Sequence, residues 1–365
     1  MNMLTKVGFV LLSNSEKPIP STRIAALNMF PFLHTAQFDP HIVFDPVRNS
    51  ETPDVSGLLA GRLQQDGFRI VVFQKIYGDS VVTLARELRV VGIKTVFCVC
   101  DVVEPGMCDA TDATITVTDH LKSLYPFALQ HKIAVAHDGI ERPALHKADW
   151  GNHHGSLTRP LRAVLVTSAE LDRLPVLINP PAWLQVTIVG RYPAKSEWLQ
   201  RLRQTYRNMN RQPDWASKLR YLGFLANPRI KRLAWDSDHV YTALQESDIG
   251  IIPIETEVER SALPGWQVKS ENRLTLKMAV GLPVVATPIP AYEPVVQQGV
   301  NAFLARSRSD WIDGLSALRD PALRRSMGSQ ARQTALAEYS MPRQAEKLVA
   351  VLRALVAPVK SSDLD

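Results

Sequence analysis

Short runs of β-branched and apolar residues recur along the chain, and each precedes a longer stretch with helical periodicity. The runs predict strands at 6–12, 70–74, 95–99, 113–117, 133–136, 162–167, 185–189, 249–254 and 283–286. The stretches between them predict helices at 22–33, 80–91, 119–124, 198–208, 240–245 and 272–280. Continuous apolar strands separated by helices are typical of parallel sheets buried on both faces. The alternation therefore predicts an α/β fold with doubly wound parallel sheets.

The length of 365 residues exceeds what one compact core usually serves, so two domains are expected. The periodicity is lost at 142–160, a polar, glycine-containing segment that resembles an interdomain connection. We predict Rossmann-like domains over 1–150 and 160–340, followed by a C-terminal helix and tail over 341–365, of which 359–365 is frayed. Two such domains in tandem would bind ligands in a central cleft at the carboxyl ends of their strands.

The composition is that of an ordinary globular protein, with 45% hydrophobic and 21% charged residues. No apolar run approaches the ~18 residues of a membrane span. The apolar run near the N-terminus is too short for a signal peptide and is interpreted as a buried strand. Cys98, Cys100 and Cys108 form neither a disulfide framework nor a zinc motif, which favours a reducing cytoplasm. Adjacent His153 and His154 lack metal-site spacing, so no metal site is predicted.

A formal net charge of +6 favours anionic partners such as phosphates or an acidic membrane surface. Part of the excess lies between Arg201 and Arg232, where we interpret most of the basic side chains as a solvated helix face. No nucleic-acid partner is expected, because no recognised binding module or aromatic-interleaved basic motif occurs.

The segment 269–288 combines a loop, a helix that ends at Gly281, and a buried strand. A helix N-terminus gathers free N–H donors and the positive end of the helix dipole, and Lys269 and Arg273 lie beside it. Such a combination suits a diphosphate. A surface helix with ordinary basic residues is the alternative interpretation.

Several motifs in this region and before it occur together in a fixed order. They are AHDGIE at 136–141, VTIVG at 186–190, SDIGIIP at 247–253, MAVGLPVVA at 278–286, YEPVV at 292–296 and GVNAFL at 299–304. The ordered set resembles glycosyltransferase family 4, whose members have the GT-B fold of two Rossmann-like domains. The resemblance covers roughly 135–305, and similarity in the N-terminal part is weak.

The resemblance implies transfer of a sugar from a nucleotide-diphosphate sugar to a glycan or lipid-linked acceptor, with retention of configuration. The donor would bind the C-terminal domain and the acceptor the N-terminal domain. The nucleotide sugar is then a co-substrate, and neither a metal nor another cofactor is needed. A role in surface polysaccharide biosynthesis follows, in the cytoplasm and with a peripheral contact to the inner face of the membrane.

The chain departs from the family at the donor site. Alignment on Gly281 places Val268 and Leu276 where the family has a glutamate pair, and Glu271 is out of register. The family's Arg and Lys after the first strand of the C-terminal domain are replaced by TSAELDR at 167–173. Donor binding is therefore assigned to Lys269, Ser270, Asn272 and Arg273, with Ser168, Arg173, Pro253 and Tyr292 as further candidates.

Two carboxylates are candidates for catalysis. Asp101 follows a predicted strand at the carboxyl edge, where it could orient an acceptor hydroxyl, act as a base, or only begin a loop. Glu293 would contact donor hydroxyls or stabilise the first turn of the next helix. Candidates for acceptor or phosphate binding are Arg23, Lys75 and His120, for which capping or solvation is the alternative.

Two other functions remain open. A nucleotide-sugar epimerase also uses the GT-B fold, but it would need carboxylates in the donor cleft. A non-catalytic binding or partner protein could have lost the donor glutamates and kept the fold.

Overall fold

The computed structural model describes residues 4–193, 197–256 and 263–357, so the predicted tail at 359–365 lies outside the described residues. The chain forms two compact units. The first comprises Met1–Glu141, Leu263–Glu271 and Tyr339–Asp365, and the second comprises Arg142–Ala262 and Asn272–Glu338. Each unit is thus assembled from separate stretches of sequence.

The first unit contains a parallel sheet of six strands in the order β2-β1-β3-β4-β5-β6. The strands are β1 Thr5–Val10, β2 Phe38–Phe44, β3 Phe68–Gln74, β4 Lys94–Val99, β5 Ala113–Thr116 and β6 Ile133–Val135. Its helices are α1 Pro20–Ala25, α2 Phe30–Thr35, α3 Ala60–Gln65, α4 Asp79–Val90, α5 Pro105–Ala110, α6 Asp119–Ser123 and α7 Phe127–Gln130.

Alternate residues along a strand point to opposite faces of the sheet, and in the first unit both faces are apolar. Ile70 and Val72 of β3 face one layer, and Val71 and Phe73 face the other. The last helix of the chain, Met341–Val356, packs on the Ile70 face together with α2. Burial on both faces explains why these strands are continuous apolar runs in the sequence.

The second unit also contains a parallel sheet of six strands, in the order β12-β11-β10-β7-β8-β9. The strands are β7 Leu161–Val166, β8 Leu184–Gly190, β9 Ile230–Ala234, β10 Ile249–Ile252, β11 Val284–Ala286 and β12 Phe303–Leu304. Its helices are α8 Trp198–Arg211, α9 Trp215–Ala226, α10 Ser237–Glu246, α11 Asn272–Val280, α12 Arg308–Ala317 and α13 Pro321–Tyr339. The last helix of the chain is accordingly α14.

Both strand orders are doubly wound, which confirms the predicted fold class of two Rossmann-like parallel-sheet domains. The direction of winding reverses between β1 and β3 in the first unit and between β7 and β10 in the second. Open parallel sheets bind ligands at the carboxyl ends of the strands beside such a reversal. Each unit therefore has one edge where a ligand site is expected.

Three strands and one helix break are among the differences from the sequence prediction. Strands β2, β9 and β12 were not predicted, and all three are at or near sheet edges. Pro40 interrupts the apolar run of β2, which an edge strand tolerates. The predicted helix 22–33 is divided into α1, a 3-10 turn and α2, and Pro31 lies in the first turn of α2.

The segment 142–160, predicted as a connection, packs on the second unit. The Lys147 backbone N–H donates to the Val280 carbonyl at 2.8 Å, and Trp150 Nε1 donates to the Gly281 carbonyl at 2.7 Å. Gly281 ends α11 with a φ of 91°, which favours glycine. Within the described part of the chain, no helix is both long enough and apolar enough to span a membrane.

Gly328 of α13 permits close packing against Gly281 and Trp150. A Cβ atom at Gly328 would lie 2.3 Å from the Gly281 carbonyl oxygen and 2.5 Å from Trp150 Nε1. We expect Gly328→Ala to lower the free energy of unfolding by roughly 2–3 kcal/mol, because α13 must move away from rigid neighbours. Thermal and urea denaturation would measure the loss.

Gly223→Ala is the matched control for this substitution. Gly223 is also helical and lies in α9, and a Cβ atom added there would meet none of the described atoms within 4 Å. Alanine there should be neutral or stabilising by up to about 1 kcal/mol. Equal effects of the two substitutions would contradict the packing argument.

Candidate functional site

In the second unit, polar side chains collect where the winding of the sheet reverses. Ser168 follows β7, and Asn272 and Arg273 begin α11. Arg273 Nη2 donates to Ser168 Oγ at 3.2 Å. The N-terminus of α11 therefore combines backbone N–H groups that have no acceptor within the helix, the positive end of the helix dipole and a guanidinium group. The structure thus brings together three of the predicted donor-binding residues.

A second arginine lies at the same edge. Arg173 Nε donates to Glu255 Oε1 at 3.1 Å, and Nη2 contacts the other carboxylate oxygen. Glu255 lies shortly after β10, beyond the buried Pro253. The bidentate pair with Glu255 raises the pKa of Arg173 and fixes its orientation. We call Ser168, Arg173, Glu255, Asn272 and Arg273 the basic edge.

Arg273 differs from the other predicted cations in its partners. Arg23, Lys75, Lys269 and Arg173 all form ion pairs with carboxylates. Among the described residues, no carboxylate lies within ion-pair distance of Arg273, whose side chain contacts a neutral hydroxyl. Within the part of the chain that the structure describes, the charge of Arg273 is therefore not neutralised by a carboxylate.

Tyr292 and Glu293 lie between β11 and β12. Tyr292 is buried with 1% of its surface exposed, while Glu293 Oε1 accepts a hydrogen bond of 3.1 Å from Arg306 Nη2. Both side chains of that ion pair are at least half exposed, so it contributes little to stability. Glu293 as a contact to donor hydroxyls remains a prediction.

Lys277 of α11 is fully buried, and the sequence analysis did not identify it. Its Nζ donates to the Arg273 carbonyl at 3.1 Å. Burial, with added repulsion from Arg273, lowers the pKa of Lys277 to about 7. A Cβ atom at Gly250 would lie 2.8 Å from Lys277 Cδ, so glycine in β10 makes room for the lysine stem. The Lys277 amine therefore lies beside the Arg273 backbone in the first turn of α11.

The structure places Lys269 and Ser270 in the first unit and separates them from Asn272 and Arg273. Lys269 Nζ lies 3.4 Å from Asp101 Oδ2, and Ser270 Oγ donates to Asp138 Oδ2 at 2.7 Å. Val268, at a position where the family has glutamate, is buried against Val117 and Leu121. The predicted basic cluster is thus divided between the two units.

Asp101 and Lys75 form an ion pair at the carboxyl edge of the first sheet. Lys75 Nζ lies 2.7 Å from Asp101 Oδ1 and 2.8 Å from Glu51 Oε1. Burial favours a higher pKa for Asp101, but the hydrogen bond and charge of Lys75, with the charge of Lys269, outweigh it and lower that pKa. Asp101 is therefore a stable carboxylate and a weak proton acceptor.

Asp138 and Glu271 form a second, more deeply buried acidic group. Glu271 Oε1 lies 2.9 Å from His137 Nδ1, which is also 2.8 Å from the Val117 carbonyl. Burial, followed by repulsion from Glu271, raises the pKa of Asp138 to about 7 and outweighs the hydrogen bond from Ser270. Because its pKa is close to neutral, Asp138 changes protonation in the physiological range.

Arg23 and His120, the remaining predicted residues of the first unit, differ in their described partners. Arg23 forms two hydrogen bonds to Glu141, of 2.5 and 2.9 Å, and Asn28 donates to the same carboxylate. His120 lies in the first turn of α6, after the capping residue Thr118. Its Nε2 is buried and has no hydrogen-bond partner among the described residues.

The first unit contains a cavity that extends from α1 and α14 to Lys75 and Asp138, near the carboxyl ends of the strands. Its apolar lining includes Ile24, Met29, Ile115, Val117 and Leu348. Its polar lining includes Gln74, Lys75, His137, Asp138 and Gln344. A ligand with apolar and polar parts would suit such a lining.

The comparisons with known proteins agree with the fold and the motifs. Residues 169–320 match the family model described as glycosyl transferases group 1. No curated protein matches the chain. These findings and the fold support a glycosyltransferase enzyme of the GT-B class, which confirms the resemblance predicted from the sequence motifs.

Several solved structures share the fold over nearly the whole chain. A glycosyltransferase from Rickettsia africae ESF-5 is 13% identical, with 98% of this chain and 99% of that chain covered and a TM-score of 0.65. Anabaena Alr3699/HepE in complex with UDP is 12% identical, with 96% and 100% covered and a TM-score of 0.62. Its complex with UDP-glucose is 13% identical, with 96% and 99% covered and a TM-score of 0.60.

Asp138→Asn tests the raised pKa. The folded pKa of about 7 exceeds the usual value of about 4, so the folded state binds more protons between these pH values. This carboxyl group therefore lowers the stability as the pH rises from about 4 to about 7. We expect the asparagine variant to lose less stability than the wild type between about pH 4 and pH 7. Thermal denaturation would measure it, with Asp119→Asn on the exposed surface of α6 as control.

Lys277→Met tests the buried amine. The folded pKa of about 7 lies below the usual value of about 10.4, so the wild type loses stability as the pH falls toward 7. Methionine removes the charge and keeps the stem, and we expect stabilisation by roughly 1–3 kcal/mol at pH 7 that shrinks toward pH 10. Urea denaturation would measure it, and Lys231→Met, at the exposed position of β9, is the control. A gain that does not depend on pH would contradict the assignment.

Proposed function

We propose that the chain transfers a sugar from a nucleotide-diphosphate sugar, and that the basic edge binds the diphosphate of this donor. The observation that carries the proposal is the Arg273 guanidinium at the N-terminus of α11, which contacts the Ser168 hydroxyl and has no carboxylate partner among the described residues. The location beside the reversal of sheet winding supports it. Uridine diphosphate is the nucleotide we propose first, since a structural neighbour binds UDP and UDP-glucose.

The chemistry requires stabilisation of the negative charge that develops on the leaving diphosphate. Arg273 and the N–H groups of the first turn of α11 would supply it, and Ser168 would donate a hydrogen bond. Arg173 would add a second cation, held in place by Glu255. We propose that these groups act without a metal and that the reaction retains the configuration of the sugar, as the family resemblance implies.

The acceptor would bind the first unit beside Lys75 and Asp101, at the carboxyl edge of its sheet. Asp101 is held ionised by Lys75, so we propose that it orients an acceptor hydroxyl and does not take up its proton. The mixed lining of the nearby cavity is compatible with a glycan or lipid-linked acceptor. We further propose a role in surface polysaccharide biosynthesis, with the protein at the inner face of the cell membrane.

Arg273→Ala tests donor binding directly. Removal of a charge-assisted contact of about 1.5–3 kcal/mol should weaken UDP binding by roughly tenfold to a hundredfold. Isothermal calorimetry of the full chain with UDP would measure the change. The control is Arg308→Ala, which removes an exposed arginine of the same unit at the start of α12.

Nucleotide binding and the products formed from UDP-sugars decide between the proposed transferase and the two alternatives, an epimerase and a non-catalytic protein. Absence of binding to any nucleoside diphosphate, or equal affinity in Arg273→Ala and wild type, would overturn the donor site. Proton NMR spectroscopy of UDP-sugars incubated with the protein separates the activities, because it distinguishes epimers as well as free UDP. Transfer or slow hydrolysis releases UDP, an epimerase would change the sugar without releasing UDP, and a non-catalytic protein would leave the donor intact.

A further inference from the structure

Helix α8 has its polar face turned toward the protein and its apolar face toward solvent. Asn208 Nδ2 donates to Glu170 Oε1 at 2.7 Å, and Gln204 contacts the same carboxylate. On the outer side, Trp198, Leu202 and Tyr206 follow one another at intervals of four residues and are 61%, 60% and 72% exposed. This spacing forms one continuous stripe on a helix. The arrangement is the reverse of that in an ordinary surface helix.

Helix α9 continues the pattern. Its buried face carries Tyr221 and Phe224, which pack into the core of the second unit. Trp215, Leu219 and Leu222 lie on another face and are 77%, 63% and 41% exposed. Single exposed apolar residues are normal on protein surfaces, but two consecutive helices with exposed apolar stripes indicate a binding surface.

The charges on both helices have one sign. Helix α8 contains Arg201, Arg203, Arg207 and Arg211, helix α9 contains Lys218 and Arg220, and neither helix contains an acidic residue. The exposed Arg203, Arg207 and Arg211 lie four residues apart, beside the apolar stripe. A basic, aromatic and aliphatic surface is complementary to anionic lipid headgroups above an apolar phase. Tryptophan and tyrosine favour that boundary.

We infer that the exposed surface of α8 and α9, defined by Trp198, Leu202, Tyr206, Trp215, Leu219 and the flanking basic residues, binds an anionic lipid membrane. Association of two copies through this surface is disfavoured, because it would bring like charges together. The inference rests on the proposed function in one respect, since a lipid-linked acceptor would be found at such a membrane. It gives the membrane contact a defined location on the second unit.

Co-sedimentation of the full chain with vesicles tests this inference. Wild type should bind vesicles of phosphatidylcholine mixed with phosphatidylglycerol more strongly than phosphatidylcholine alone, and binding should weaken as salt increases. The variant Trp198→Ser/Leu202→Ser/Trp215→Ser should partition at least about tenfold less, since each side chain that enters the lipid contributes more than about 1 kcal/mol. Arg203→Glu/Arg207→Glu should abolish the preference for the anionic lipid.

Matched controls alter equally exposed residues elsewhere. Val90→Ser/Phe127→Ser removes apolar side chains that are 87% and 90% exposed in the first unit, and Arg308→Glu/Arg325→Glu reverses exposed charges in the second. Both controls should bind vesicles as the wild type does. No binding of wild type to anionic vesicles, or equal loss in the controls, would overturn the inference.

A nucleotide measurement on the same variants separates the two proposals. The α8–α9 variants should bind UDP with unchanged affinity, because their substitutions lie outside the basic edge. Vesicle binding without UDP binding would remove the proposed donor site and leave the membrane surface. UDP binding without vesicle binding would remove the proposed membrane surface and leave the donor site. Analytical ultracentrifugation tests for a dimer. If the wild type dimerises, the α8–α9 variants do not, and no vesicle binding is seen, the surface binds a second copy of the chain and the inference is overturned.

Discussion

Strands that are buried on both faces control where chemistry can occur in this protein. In each sheet the side chains of the central strands enter apolar layers, so polar groups can collect only where strands end. Ser168 and Glu255 follow neighbouring strands of the second sheet, and Lys75 and Asp101 follow neighbouring strands of the first. The location of both candidate sites is thus a consequence of core packing.

The two edges use their charges differently. At the edge of the first sheet, Lys75 and Lys269 are compensated by carboxylates, and the buried Asp138 tends toward its neutral form. The charges of the two lysines are therefore balanced within the first unit. At the basic edge, the Arg273 guanidinium donates to a hydroxyl and has no carboxylate partner among the described residues, next to a helix N-terminus. An anion is the ligand that such an arrangement stabilises.

Local sequence signals predicted most of the strands, but they did not predict how distant segments assemble into the two units. Helix α11 has the predicted bounds of 272–280 because its end is determined locally, by Gly281 in a left-handed conformation. The division of Lys269 and Ser270 from Arg273 could not be predicted, because nothing local shows which core a loop will join. Lys277 could have been noticed, since it lies between Leu274 and Met278 on the buried face of the helix.

The packing of α14 on the first sheet has a consequence for synthesis of the chain. Leu348 and Leu352 cover Val7 and Phe9, residues that leave the ribosome more than three hundred positions earlier. Until the final helix emerges, this face of the first sheet has only α1 and α2 among its described helices to cover it, while Arg142–Glu338 already contains the second unit. The nascent N-terminal half must therefore persist with exposed apolar surface, a state in which chaperones would bind it.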